Sequence, residues 1–147
     1  MRRSDQRRAA VFALYQHDLT KRPLDDVFER DAPAFTRALA HATADNAEEL
    51  DAHIERHAKN WSLDRIAPLE KAILRTALLE MLHPDLVEAD TPIPPEGAID
   101  EAVETAKAFC GAEAPGFVNG ILAAVLRERQ AAEAGAGSAS RSGEASA

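Results

Sequence analysis

Apolar residues recur every three or four positions along most of the chain. Val11, Leu14, Tyr15 and Leu19 follow that rhythm and predict a helix from Ser4 to Leu19, with Ser4 or Asp5 as its N-cap. Lys21-Arg22-Pro23 ends it, and Leu24, Val27 and Phe28 predict a short second helix. Pro33 marks the next start. Phe35, Leu39, Ala42, Asn46, Leu50, Ile54 and His57 then continue one stripe, which predicts a single long helix to Ala58. Residues 60–64 read as a connector, with Trp61 as an anchor packed onto the core.

Pro68 opens a helix to His83 that is apolar at Leu69, Ile73, Leu74, Ala77, Leu78, Met81 and Leu82. That face is too broad for one contact, so this helix should be central. Residues 84–95 hold four of the eight prolines and form a loop. A helix from Pro95 to Phe109 follows, with Gly111 just beyond its end in the C′ position. The last helix starts near Phe117 and carries Val118, Ile121, Leu122, Val125 and Leu126 on one face. From Ala131 the chain is alanine, glycine, serine and glutamate with the single Arg141, a composition that buries no core. The expected organisation is a helical domain over 1–130 and a disordered tail over 131–147.

Composition supports an all-α fold. Hydrophobic residues make up 46% of the chain and aromatics only 5%, with the strong helix formers alanine and leucine dominant. The single cysteine, Cys110, excludes an internal disulfide framework and fits a reducing compartment. No apolar h-region follows the charged N-terminus, and no run approaches the ~18 apolar residues of a membrane span. A soluble cytoplasmic protein is expected.

Enzyme chemistry finds no support. There is no Gly-x-Gly-x-x-Gly and no P-loop, and Cys110 lacks partners at zinc spacing. His53 and His57 stand at i and i+4 but have no third ligand of clear spacing. Asp100, Glu101 and Glu104 lie at a helix start, where the helix dipole favours acids. Neither a cofactor nor a metal is expected.

Charge distribution gives the functional signal. The net charge is -8, yet Arg2, Arg3, Arg7 and Arg8 cluster at the start of the first helix. An acidic protein binds polyanions only locally, and guanidinium groups suit phosphate. Arg3 and Arg7 lie one turn apart on the same side, while Arg8 projects elsewhere. Tyr15, further along the helix, reads equally as a stacking residue and as a core tyrosine. On the central helix, Glu70, Lys71, Arg75 and Glu80 make up the polar remainder. Glu70 and Arg75 are expected in one charged patch.

Three segments resemble the NusB transcription antitermination family. They are Arg7-Arg8-Ala9-Ala10-Val11-Phe12-Ala13-Leu14-Tyr15-Gln16, the run from Leu69 to Leu82, and Ile99 to Phe109 followed by Phe117-Val118-Asn119-Gly120-Ile121-Leu122. The resemblance covers roughly residues 3 to 127, and Phe-Val-Asn-Gly is its most specific part. It implies two packed helical bundles of about seven helices and no catalysis. It also implies binding of single-stranded boxA RNA from ribosomal RNA leaders. The family does so with NusE, a small-subunit ribosomal protein, and with other Nus factors on the RNA polymerase elongation complex. Some family members are homodimers.

Carried onto this sequence, the resemblance makes Arg2, Arg3, Arg7, Arg8, Tyr15, Glu113 and Phe117 the RNA-binding residues. Glu70, Arg75 and Glu80 become the NusE-facing ones. A buried phenylalanine is the rival reading of Phe117. Asn119 and Gly120 read as structural, a side-chain cap and a close helix approach. Gly116 stands where the family often carries lysine, and the loop of Asp85, Glu88, Asp90 and Glu96 is acidic. RNA affinity of the protein alone should therefore be weak and partner-dependent. Related domains also occur fused to ribosomal RNA cytosine methyltransferases, for which 147 residues leave no room. The alternative is a stand-alone helical interaction module without RNA binding.

Overall fold

A computed structural model describes the backbone of residues 1–59, 61–89 and 91–146, and side chains among these through residue 136. Seven α-helices appear among them: α1 (Arg3–Thr20), α2 (Leu24–Val27), α3 (Ala34–Asp45), α4 (Ala47–His57), α5 (Pro68–Leu82), α6 (Pro95–Phe109) and α7 (Ala114–Ser146). Short 3-10 turns occur at Leu63–Arg65 and Pro84–Leu86. No described residue is in a strand. No helix is long and apolar enough to cross a membrane among the described residues.

The centre of the fold is α5. Ala72, Ile73, Leu74, Thr76, Ala77, Leu78, Leu79 and Met81 are buried, so the helix is covered almost all round. It packs against α1 and α3 on one side and against α4, α6 and α7 on the other. Two helical groups thus share one member, which is why its sequence is apolar on more than one face. Leu74 and Leu78 are fully buried, each stabilising the fold by about 1.5–3 kcal/mol relative to exposure. Pro68 sits in the first turn, where the missing N–H has no helical acceptor to lose.

Local structure departs from expectation at several points. Ser4 does not cap α1; the cap position is Arg2, which makes no side-chain cap bond. The Ser4 hydroxyl instead donates to Glu101 Oε1 at 2.7 Å, joining α1 to α6. At the other end of α1, Lys21 takes φ 62, a left-handed conformation more natural for glycine.

The single helix expected over residues 33–58 is two helices, broken at Asn46 with φ -111 and ψ 15. Asn46 Nδ2 donates to the Ala42 carbonyl at 2.8 Å, occupying the acceptor its own backbone N–H would use in a continuous helix. The Asn46 N–H turns to Thr43 instead, and α4 restarts with Leu50 N–H on the Asn46 carbonyl.

Trp61 is no core anchor, since it is 53% exposed. Gly111 is no left-handed cap either. Cys110 ends α6 in an extended conformation, and the Ala114 N–H then closes a turn onto the Gly111 carbonyl, which starts α7 three residues before Phe117. Gly120 makes no close approach: a Cβ there would meet no heavy atom within 4 Å. It lies on the outer side of α7, whose Val118, Ile121, Leu122 and Val125 face the core. Residues 131–136, where composition predicts the start of a disordered tail, continue α7 and are exposed. Alanine and glutamate favour helix even where nothing is buried. Side chains of the remaining tail residues, 137–147, lie outside the described residues.

Candidate nucleic-acid interface

The four arginines of α1 have four different environments. Arg2 is the freest, with a side chain 84% exposed and only a loose 3.6 Å contact to Asp5. Arg3 is exposed, with its guanidinium over the Phe35 ring at 4.1 Å and Nη1 donating to Gln6. Arg7, one turn on, also lies over Phe35, at 5.4 Å. Its Nε donates to both carboxylate oxygens of Glu80, at 2.8 and 3.1 Å. Arg8 is half-buried against the Phe109 ring, at 5.7 Å, and its Nε is buried without a hydrogen-bond partner.

The cluster does not face open solvent alone. Arg2, Ser4 and Arg8 share a cleft of about 200 Å³ with Asp100, Glu101 and Glu104 in the middle of α6. The sequence expectation that these acids sit at a helix start is not met, because the only acid in the first turn of α6 is Glu96. Lying further along the helix, they gain little from its dipole and instead screen the arginines opposite. An RNA phosphate reaching Arg8 must displace or tolerate them.

Along α1 and α6 the contacts keep one register. Ser4 meets Glu101, 97 residues on, and Phe12 meets Phe109 at the same separation. The two helices therefore run in the same direction at these contacts. The Phe12 and Phe109 rings meet edge to face at 4.9 Å, and Phe109 is 48% exposed. Sequence reasoning did not single out this aromatic pair. The signal available was the one-turn spacing from Arg8 to Phe12, a cation followed by an aromatic on one helix face.

Tyr15 is half-buried and packs against the core cluster, consistent with the structural alternative. Phe117 is half-buried at the start of α7, with its ring edge-on to Trp61 at 6.4 Å between centroids. Glu113 is exposed just before it.

Glu70, Arg75 and Glu80 do not form one patch. Each step of five residues turns a helix by about 140°, so the three point in different directions. Glu70 lines a cleft with Trp61, Glu113 and Phe117. Arg75 forks onto Asp51 of α4, Nε to Oδ1 at 2.6 Å and Nη2 to Oδ2 at 2.8 Å. Glu80 faces α1 and holds Arg7. Glu70 thus lies beside two residues assigned to RNA, and the other two serve internal ion pairs.

Burial pushes the Glu80 carboxyl above its ordinary value, with nearby Glu101 adding to the rise; the Arg7 hydrogen bond and charge oppose this without cancelling it. Burial likewise raises Glu70. The Cys110 thiol is raised by burial first and by the Glu70 charge second. His57 Nε2 meets Glu128 Oε2 at 2.8 Å, pinning α4 to α7.

Comparison with known proteins fits this architecture. A model described as the NusB family matches residues 4–127. The transcription antitermination protein NusB of an Exiguobacterium species is 35% identical over 133 residues, spanning 87% of this chain and 99% of that protein. Its counterpart from Rubrobacter xylanophilus is 36% identical over 128 residues, spanning 83% and 88%. Among solved structures, T. maritima NusB superposes with a TM-score of 0.75 at 29% identity, covering 87% of this chain and 92% of that one. A chain from a crystal structure of antitermination factors NusB and NusE in complex with dsRNA gives 0.71 at 25% identity, covering 86% and 96%.

Proposed function

The chain belongs to the NusB family of transcription antitermination factors, and from that premise we propose that it binds boxA RNA of ribosomal RNA leaders together with NusE. In this reading it supports processive transcription of ribosomal RNA operons, within an elongation complex of RNA polymerase and other Nus factors. Its role is binding, without catalysis. The observation that carries the reading is the family match over residues 4–127, which takes in α1 from Ser4 onward with Arg7 and Arg8, directly after the exposed Arg2 and Arg3.

The residue roles follow from exposure. Arg2 and Arg3 are the arginines open to phosphate, and Arg8 is the one with an unused buried donor. Arg7 acts indirectly: held by Glu80 and stacked on Phe35, it fixes the pitch of α1 beneath its neighbours. Phe109, Phe12 and Phe117 supply rings on which unstacked bases can lie. Acids in the middle of α6 and before α7 weaken RNA binding by the protein alone, so NusE supplies the missing affinity.

A binding assay with labelled boxA RNA, a scrambled single strand and a duplex of the same length tests this. Preference for the single-stranded boxA RNA in the presence of NusE is expected. Equal affinity for all three, or none, would contradict it. The second reading, an interaction module without RNA binding, is favoured by the engagement of Arg7 by Glu80 and by the acids facing Arg8. NusE binding without any RNA binding would decide for it.

A further inference from the structure

Trp61 is the chain's only tryptophan, and more than half of it is exposed beside a 3-10 turn that leads into α5. Exposed tryptophan is costly surface, and here it is not isolated. Its ring stands at 63° to that of Phe117, and the two form the walls of a cleft of about 290 Å³ with Ile66 and Ala114. A cleft of that size lies at the bottom of the range for small-molecule sites and suits one flat ring system. Three charged side chains stand around it: Arg65, Glu70 and Glu113.

We propose that this cleft is a nucleobase pocket, taking one unstacked base that carries an exocyclic amino group, cytosine or adenine, from the bound RNA strand. The proposal rests on the RNA-binding reading above. Trp61 supplies the stacking face and Phe117 the edge that limits the slot. Glu70 and Glu113 accept hydrogen bonds from the amino group, as carboxylates do from cytosine N4. Uracil presents a carbonyl at that position and meets two negative charges. Arg65 is the cation beside the cleft for the flanking phosphate. Partial burial of Glu70 raises its carboxyl, so a donor reaching it relieves an existing desolvation penalty.

A base is favoured over a protein side chain by continuity and by chemistry. The cleft is bounded by Phe117 and Glu113, both already in the RNA reading, at the end of α6 that follows the Phe12–Phe109 pair. From Ser4 and Glu101 to Phe12 and Phe109 is eight residues of helix, about 12 Å. One strand can therefore run from the arginines, over that pair, to the cleft.

The lone tryptophan makes the test direct. The full chain is titrated at low salt with fluorescein-labelled oligocytidylate and oligouridylate of equal length. Label anisotropy reports binding and Trp61 emission reports stacking. Oligocytidylate should quench Trp61 in step with binding, and oligouridylate should bind several-fold more weakly with less quenching. Trp61→Ala should weaken oligocytidylate binding by about 10-fold, Trp61→Phe should recover most of it, and Glu70→Ala with Glu113→Ala should erase the base preference. Binding of either oligonucleotide with Trp61 emission unchanged would overturn the pocket and leave the RNA reading standing. Binding of neither would overturn both. Emission that responds to added NusE but not to RNA would assign the cleft to the protein partner instead.

Discussion

Arg7 and Glu80 form an ion pair at 2.8 Å between α1 and α5, with side chains only 12% and 10% exposed. This pair joins one residue expected on the RNA surface to one expected on the NusE surface. Both are thereby fixed in the interior. A buried pair of this kind is strongly destabilising when halved, because the surviving charge has no partner. Arg7→Ala should lower the unfolding free energy by about 3–5 kcal/mol, whereas Arg7→Met with Glu80→Leu should leave it nearly unchanged. Chemical denaturation of the two variants checks this.

The same carboxyl gives a pH signature. Its value in the folded protein is raised above the ordinary 4.5, chiefly by burial. The folded state then holds the proton more tightly than the unfolded chain. The associated stability is complete below the ordinary value and is lost as pH rises through the raised one. Measured against Glu80→Gln, the wild-type protein should lose relative stability as pH increases just above 4.5. A difference that stays flat across that window would refute the linkage.

Arg2 and Arg3 are exposed and hold no buried carboxylate, so removing them should spare the fold. Arg2→Ala with Arg3→Ala should weaken single-stranded RNA binding. It should also reduce the slope of log affinity against log salt by roughly 0.7 for each phosphate that is no longer neutralised. Thermal unfolding should be unchanged. A salt slope equal to that of the wild type would remove both residues from the interface.

Arg75 meets Asp51 through a two-pronged fork, a geometry that lysine cannot reproduce. Arg75→Lys should therefore destabilise the α4–α5 contact nearly as much as Arg75→Ala, by about 1–3 kcal/mol. Full rescue by lysine in a denaturant titration would show that charge alone matters there.

Lys21 ends α1 at φ 62, where a Cβ is strained. Lys21→Gly should raise stability by about 0.5–1 kcal/mol, the conformational relief being partly offset by glycine's greater freedom in the unfolded chain. A lower melting temperature in the variant would contradict the strain.

Helical periodicity carried most of the fold. The stripe of α1, the near-complete burial of α5 and the span of α6 follow from spacing, because core contacts impose that spacing. The break at Asn46 did not, since the apolar rhythm continues across it and a single side-chain bond to Ala42 decides the geometry. The candidate site was legible as residue types rather than as neighbours. Four arginines are visible in a row, but the acids of α6 that face them stand some 97 positions away, and only packing brings them together. Glu70, Arg75 and Glu80 look like one polar remainder until the helical turn separates them. Trp61 looked like an anchor because tryptophans commonly are; its exposure depends on the route of the turn before α5.

Binding of boxA RNA through a basic but partly neutralised surface completed by NusE is the role proposed for this NusB-family protein. The most direct measurement is the affinity for labelled boxA RNA at two salt concentrations, each with and without NusE. Weak, strongly salt-sensitive binding by the protein alone, tightened by NusE, is the predicted result. Affinity indifferent to both salt and NusE would contradict it.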